Sequence, residues 1–321
     1  MIHIIRSFCL LLFVLITPFH SQLTHQSHKQ HKKSAPSLLI FSAWDTYHPK
    51  IEMRIKHHKA YADRHGYSYR LYVKSNVALG QSAGTGVDIA PIGIPPTALR
   101  LKYRAGWYKV FAFADLLKLG QFDYFFYLDL DAVFHNFEWP LLDVIKGYDQ
   151  SIFLQLSNLA RHTFINQNLQ TSSHVVLLKN DAVSSVFVQK WYDMIHYCPE
   201  INMEQGAMFA TVAEFYSNYT IPCHCKTKVC PAHVDRKNKA FGDCFNEFIA
   251  HHFGFNPVHP HIHVFRFWNH EPRPPLDGFS AEAHWINTTF ACPLTFHPFK
   301  DFTKEYVPIY NKCSSYDPLI M

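Results

Sequence analysis

The chain lacks several features that would place it in a large class of proteins. Its 321 residues are only 17% charged, and the net charge of +5 is spread along the sequence without a lysine and arginine block interleaved with aromatic residues. A polynucleotide-binding face needs such a block, so nucleic acid is not an expected partner. The interior shows no internal repeat and no apolar run long enough to span a membrane. With 48% hydrophobic residues, the chain can instead bury one large core.

Cysteine is missing between Cys9 and residue 197. The remaining cysteines all lie in the C-terminal part: Cys198, Cys223, Cys225, Cys230, Cys244, Cys292 and Cys313. In an oxidising compartment this distribution predicts disulfides that clip a loop-rich C-terminal lobe, with one thiol of the odd set left free or intermolecular. A zinc site made from the residues between 223 and 244 is an alternative by ligand type, although the spacing is not that of paired CxxC knuckles.

The N-terminus indicates entry into the secretory pathway. An apolar stretch over residues 8–16 ends at Thr17 and is short for a membrane span. Residues 1–20 are therefore predicted to be a signal peptide or an uncleaved type II signal-anchor, and the polar residues 21–36 a flexible luminal stem. Two acceptor tripeptides, at Asn218 and Asn287, agree with a luminal glycoprotein. The protein would be secreted if the leader is cleaved.

Strand and helix patterns alternate along the body of the chain. Expected strands cover residues 38–41, 67–73, 122–128, 151–156, 174–178 and 262–267, and expected helices cover 51–65, 107–117, 183–197 and 203–216. Residues 75–96 are expected to form a long surface loop, because they are rich in glycine and proline. The alternation predicts an α/β domain with a mostly parallel sheet, helices on both faces and an irregular C-terminal lobe.

Two carboxylates end the most apolar strand. Residues 122–128 are almost all apolar or aromatic, and Asp129 and Asp131 follow with Leu130 between them. Because side chains alternate along a strand, both carboxylates leave it on the same side. Such a pair at the carboxyl end of a strand suits a hard divalent cation that carries a phosphate or diphosphate. The alternative is that the two aspartates only begin a turn or cap a short helix at 132–134.

Several motifs occur in an order that resembles a known enzyme family. They are Tyr61-Ala62, His65-Gly66-Tyr67, Trp107 with Lys109, the run Tyr124 to Phe134 with its Asp129-Leu130-Asp131, the run Val175 to Asn180, Trp191, and Glu204-Gln205-Gly206-Ala207. This order, over roughly residues 37–270, resembles nucleotide-sugar glycosyltransferases of the GT-A fold. The galactosyl- and xylosyltransferases of glycosyltransferase family 34 are the most similar group.

The resemblance implies both a fold and an activity. It implies a GT-A, Rossmann-like domain over residues 37–321 in a type II Golgi membrane protein with a luminal catalytic domain. It also implies transfer of a hexose or pentose from a nucleotide diphosphate sugar, usually UDP-linked, to a glycan or glycoprotein acceptor. Mn²⁺, or Mg²⁺, would be the cofactor.

The resemblance also assigns site residues. The donor-binding positions are Trp107, Lys109 and Asp129; the metal positions are Asp129 and Asp131 with a histidine, either His263 or His270; and the acceptor-side catalytic pair is Glu204 and Gln205. The family has an aspartate where this chain has Glu204, and its usual histidine motif is absent here, which leaves the choice of histidine open.

Two other functions compete with the transferase. A haloacid-dehalogenase-like phosphatase also ends an apolar strand in Asp-x-Asp, where the first aspartate is the nucleophile. Its motif normally lies close to the start of the domain, whereas here two strands and two helices precede Asp129. The second competitor is a catalytically inactive carbohydrate-binding protein of the same fold, against which the intact Asp129 and Asp131 pair argues.

Overall fold

The structure is a computed structural model. It describes residues 35–44, 49–74, 86–94, 105–130, 132–134, 137–156, 171–196, 203–217, 259–265, 277–279 and 295–297. The strands are β1 (Leu38–Trp44), β2 (Ser68–Val73), β3 (Asp88–Pro91), β4 (Tyr124–Leu128), β5 (Val133–Phe134), β6 (Ile152–Leu156), β7 (Thr171–Lys179), β8 (Ile262–Phe265), β9 (Asp277–Phe279) and β10 (Thr295–His297). The helices are α1 (Pro49–Arg64), α2 (Tyr108–Leu119), α3 (Leu141–Ile145), α4 (Ala182–Asp193) and α5 (Met203–Ser217), and short 3₁₀ turns cover Ala105–Trp107 and Met194–His196.

A seven-stranded sheet in the order β3-β2-β1-β4-β7-β6-β8 forms the centre of the domain. Strands β1 to β4 pair in parallel, β7 pairs antiparallel with both β4 and β6, and β8 is parallel to β6. Only β7 therefore runs against the common direction. The carboxyl ends of β1, β2 and β4 meet at one edge of the sheet, which is where ligands bind in open α/β sheets.

Apolar side chains fill both faces of this sheet. On one face, Phe41 of β1 meets Phe113 of α2 and Tyr127 of β4, with ring centroids 4.8 and 5.3 Å apart. This core also takes in α4 and α5, whereas α1 and α3 cover the opposite core, to which Phe126 and Leu128 belong. Successive residues of β4 thus alternate between two buried layers, as the aromatic run predicts.

Local signals define the ends of two helices that carry site residues or support them. Helix α2 ends at Gly120, whose φ of 62° is left-handed and whose N–H donates to Leu116 O at 3.2 Å. Helix α4 begins after Asp181, whose carboxylate accepts from Ser184 N at 2.9 Å. The caps thus mark the end of α2 and the start of α4. The two helices contact each other.

The expected α/β class, with a mostly parallel sheet and helices on both faces, is confirmed. One expectation is wrong, because part of the loop predicted over residues 75–96 forms β3, which pairs with β2 through Arg70 to Val73. The strand lies at the edge of the sheet, where Pro91 costs no ladder hydrogen bond. A second sheet, β5-β10-β9, was not expected either.

Two further expectations concern the C-terminal lobe and the leader. The seven cysteines of the C-terminal lobe, with their expected disulfides, lie outside the described residues, as does the leader. Within the described part of the chain, no helix combines the length and the apolar character that a membrane span requires.

Candidate active site

Asp129 follows the last residue of β4 at the carboxyl edge of the sheet, and its carboxylate is held by three side chains. Tyr127 and Lys109 donate to Oδ1, the lysine at 3.1 Å, and His174 Nδ1 lies 2.5 Å from Oδ2. Tyr127 lies two residues earlier on the same face of β4, which brings its phenol alongside. These contacts fix the orientation of the carboxylate. The Asp129 side chain is still 18% exposed, so a ligand can reach it.

Lys109 projects from the first turn of α2 into the space beneath Asp129. Besides Asp129, its ammonium donates to Ser173 O at 3.1 Å and lies 3.5 Å from Glu204 Oε1. The residue is only 3% exposed. The ammonium is thus surrounded by protein acceptors, and Lys109 supports the site from inside the protein rather than lining its exposed surface.

Glu204 lies at the start of α5, and its carboxylate is the second acidic partner of Lys109. Its Oε1 accepts from Ser173 Oγ at 3.4 Å, and its main-chain oxygen accepts from Trp191 Nε1 at 2.8 Å. The carboxylate packs directly on Gly106: a β-carbon there would lie 2.3 Å from Oε2. Only glycine leaves room for the carboxylate in this position.

The electrostatics of the cluster keep Lys109 charged. Burial by itself lowers the pKa of Lys109, but the charges of Asp129 and Glu204 outweigh burial, and the pKa is raised above its ordinary value. Two carboxylates thus share one ammonium. The ion pairs are largely removed from water, so salt screens them less than surface pairs.

The segment after β4 is held from the other face of the sheet by α1. His58 donates from Nε2 to Ala132 O at 2.8 Å, His57 to Phe134 O at 2.9 Å and His65 to Phe137 O at 2.8 Å. Tyr61 adds a bond from its hydroxyl to Trp139 O at 2.6 Å. Because carbonyl oxygens only accept, each Nε2 in these contacts carries the proton. Helix α1 therefore fixes the main chain that follows the aspartate motif.

Three residues named from the sequence, Lys109, Asp129 and Glu204, contact one another in the structure. Two others, Trp107 and Gln205, lie close to them in the chain. Trp107 is buried directly before α2, and its Nε1 has no hydrogen-bond partner among the described residues. Gln205 follows Glu204 in the first turn of α5 and is also buried. The specific roles assigned to these residues remain predictions.

His263 is not brought to Asp129. It pairs with Phe153, in a row that continues through Leu177 to Phe126 of β4. Residues in one such row face the same side of a sheet, and Phe126 belongs to the core covered by α1, whereas Tyr127 belongs to the other. His263 therefore lies on the face away from Asp129 and three strands distant, roughly 14 Å. Its ring packs instead at 4.1 Å from that of Tyr148.

The metal site cannot be assembled from the described residues. They contain no group of three or more histidine, cysteine, aspartate or glutamate side chains arranged to hold an ion. Asp131, His270, Asn218 and Asn287 lie outside the described residues. Asp129 alone does not make the expected site, so the metal stays a prediction that depends on Asp131.

Four residues of the site were missed from the sequence: Gly106, Tyr127, Ser173 and His174. Tyr127 carried a signal, because it lies two positions before Asp129 on a strand and must share its face. Ser173 and His174 carried none. They reach the site because β7 pairs antiparallel with β4, so that Asp129 N donates to His174 O at 2.9 Å.

Comparison with known proteins gives no family. No protein-family model matches the chain, and no curated protein matches it. The resemblance to glycosyltransferase family 34 therefore stays a prediction.

Solved structures match at low similarity. A glycosyltransferase involved in glycosylation of the major capsid of PBCV-1 has 13% identity and a TM-score of 0.41, over 86% of this chain and 100% of that one. The glycosyltransferase GlyE of Streptococcus pneumoniae TIGR4 has 13% identity and a TM-score of 0.42, over 89% and 62%. Glucosyl-3-phosphoglycerate synthase of Mycobacterium tuberculosis, in complex with Mn²⁺, UDP and phosphoglyceric acid, has 8% identity and a TM-score of 0.36, over 57% and 65%. The chain spans less than two thirds of the latter two, and at these scores the likeness carries no argument about activity.

Proposed function

We propose that this protein is a glycosyltransferase of the GT-A fold that transfers a hexose or pentose from a UDP-linked sugar to a glycan or glycoprotein acceptor. The observation that carries the proposal is the Asp129 carboxylate, which is held in place by Lys109, Tyr127 and His174 at the ligand-binding edge of the sheet. A carboxylate fixed in this way can accept hydrogen bonds from ribose or sugar hydroxyls without reorganising. The order of sequence motifs supports the same class.

Three residues of the site have a role in this proposal. Asp129 orients the donor, Lys109 holds that carboxylate in place through its contact with Oδ1, and Gln205 supplies an amide on the acceptor side. A divalent cation, Mn²⁺ or Mg²⁺, held with the help of Asp131, would neutralise charge on the departing diphosphate. No step above requires a nucleic acid polymer.

The Asp129 contacts disfavour the phosphatase alternative. An aspartate that attacks a phosphoryl group must present an oxygen to it. Here Oδ1 accepts from two side chains and Oδ2 faces His174 at 2.5 Å. Oδ2 has one acceptor position beyond the contact with His174, which suits one more hydrogen bond from a hydroxyl better than attack on a phosphoryl group.

A donor panel tests the activity. Purified protein with Mn²⁺ is expected to turn over one UDP-sugar from a panel of UDP- and GDP-sugars and to leave a phosphomonoester intact. Asp129→Asn is expected to lower that turnover about 100-fold, as loss of a preorganised polar group does. Asp88→Asn is the matched control, because Asp88 pairs with Arg70 on the exposed edge strand. Phosphomonoester hydrolysis without sugar transfer would replace the transferase with the phosphatase, and donor binding without turnover would indicate the inactive carbohydrate-binding protein.

The cellular placement is part of the proposal. We propose a Golgi protein with a luminal catalytic domain, either anchored through residues 1–20 or released by cleavage there. Removal of N-glycans from the cellular protein is expected to increase its electrophoretic mobility, and the combined Asn218→Gln and Asn287→Gln variant is expected to abolish that change. A mobility that glycosidase leaves unaltered would contradict luminal exposure of both sites.

A further inference from the structure

The Glu204 carboxylate is turned into the protein. Its side chain is 7% exposed, its Oε1 contacts Lys109 and Ser173, and its Oε2 is buried against Gly106. A group that acts on a sugar must come within about 3 to 3.5 Å of the reacting atoms. Neither carboxylate oxygen of Glu204 is placed to do so, because Oε1 contacts Lys109 and Ser173 and Oε2 is buried among the described residues.

Lys109 connects Glu204 to Asp129. Its ammonium lies 3.1 Å from Asp129 Oδ1 and 3.5 Å from Glu204 Oε1, so the two carboxylates contact one cation from two sides. Without the Glu204 carboxylate, Lys109 would keep its contact with Asp129 but lose its second acidic partner. The position of the ammonium, and with it that of Asp129 Oδ1, would then be less well defined.

The surroundings of Glu204 are closely packed. The Trp191 indole donates to Glu204 O at 2.8 Å, and Trp191 is fully buried among α4, α5 and the sheet. Gly106 is close enough to the carboxylate that a β-carbon there would lie 2.3 Å from Oε2. A carboxylate confined between fixed neighbours is well suited to hold another side chain in place.

We propose that Glu204 is a positioning residue, which fixes Lys109 and through it the donor-binding carboxylate Asp129, and that it does not touch the transferred sugar. This inference rests on the proposed function for the identity of the ligand. It replaces the acceptor-side role expected for Glu204 and leaves that role to Gln205.

UDP binding distinguishes a positioning role of Glu204 from contact with the transferred sugar, because UDP contains the nucleotide without that sugar. With Mn²⁺ present, Glu204→Gln in the full chain is expected to weaken UDP binding about tenfold in calorimetry, at the lower end of what loss of a supporting partner costs. The donor KM is expected to rise by a similar factor, while kcat changes less. If Glu204 instead touches the sugar, kcat falls and UDP binds as in the wild type, which would overturn the proposal. Unchanged UDP binding and kinetics would overturn it as well.

Two further variants test whether Glu204 acts through Lys109. In a Lys109→Met background, adding Glu204→Gln is expected to cause no further loss of UDP affinity, because the link is already broken. Gly106→Ala displaces the carboxylate without removing its charge, and it is expected to weaken UDP binding even if Lys109→Met does not fold. An additive loss in the double variant, or wild-type affinity in Gly106→Ala, would count against the link.

The matched control lies on the same helix. Glu214→Gln removes a carboxylate ten residues further along α5, where it pairs with Lys190 at 3.6 Å, and UDP affinity is expected to stay unchanged. If the wild type fails to bind UDP with Mn²⁺, the proposed function fails. The positioning role is then judged on unfolding free energies, and independent effects of Lys109→Met and Glu204→Gln would refute it.

Discussion

The two faces of the sheet hold the end of β4 in different ways. On the face of α2 and α5, buried charges fix the side chain of Asp129 through Lys109 and Glu204. On the face of α1, histidines and a tyrosine donate hydrogen bonds to main-chain oxygens between residues 132 and 139. One face therefore positions a functional group, and the other positions the backbone on which the next part of the motif follows.

The difference predicts how each face fails. A buried ion pair that loses one member leaves an uncompensated charge, which costs more than a lost neutral hydrogen bond. The charged face should thus respond to single substitutions with large losses of stability. The α1 face distributes its work over several contacts, so single substitutions should cost less and should add up when they are distant from each other.

The largest effect is expected for Lys109→Met. The substitution leaves the buried carboxylate of Glu204 and the partly buried carboxylate of Asp129 without the ammonium that both contact, and it is expected to lower the unfolding free energy by about 3–5 kcal/mol. Chemical denaturation measures the change. Lys56→Met on α1 is the control, since the Lys56 side chain is 62% exposed where it pairs with Glu52 at 2.7 Å, and about 1 kcal/mol or less is expected. Equal losses in the two variants would remove the distinction between the faces.

A smaller loss is expected for His58→Leu. His58 is fully buried, and without its ring Ala132 O loses the donor at 2.8 Å. An unsatisfied buried carbonyl costs about 1–3 kcal/mol. Denaturation measured beside Lys109→Met shows whether the charged face is the more sensitive one. His58→Gln, whose amide can also donate, is expected to recover part of the loss, and no recovery would point to packing rather than the hydrogen bond.

Tyr61→Phe should have a still smaller effect. The change removes only the hydroxyl that donates to Trp139 O at 2.6 Å and keeps the ring stacked on Phe134, where the centroids lie 3.6 Å apart. One hydrogen bond contributes about 0.5–1.5 kcal/mol. Thermal unfolding of Tyr61→Phe and Tyr61→Leu compares the two contributions, and a larger loss in Tyr61→Phe would contradict the stacking argument.

The same contrast explains how much of the fold the sequence could predict. Long periodic segments were found, such as α2 and the aromatic strand β4, because their patterns follow from burial on one or both faces. Two short strands were not: β3 and β5 have 4 and 2 residues and exist through pairing with partners distant in the chain. No local pattern encodes such a pairing.

The site followed the same rule. Asp129 stands out because an apolar strand ends there, and Lys109 and Glu204 were reached through the order of motifs. His174 and Ser173 depend on the antiparallel register of β7, and the α1 contacts depend on how that helix crosses the end of β4. Gly106 carries no local signal either, because the Glu204 carboxylate that a β-carbon there would displace belongs to a distant part of the chain.

The smallest predicted effect is a pH dependence on the α1 face. Burial lowers the pKa of His65 below its ordinary value of 6.5, against the opposing effect of its hydrogen bond to Phe137 O. The unfolded chain therefore binds the proton more readily, so the stability due to His65 is complete above pH 6.5 and is lost as the pH falls through the lower folded value. His65→Gln is expected to flatten the decline in unfolding temperature between pH 7.5 and pH 5. These two values lie about one unit or more above and below the ordinary histidine pKa. The exposed His196→Gln is the matched control, and an equal flattening there would assign the pH dependence to general charge rather than to the contact with residue 137.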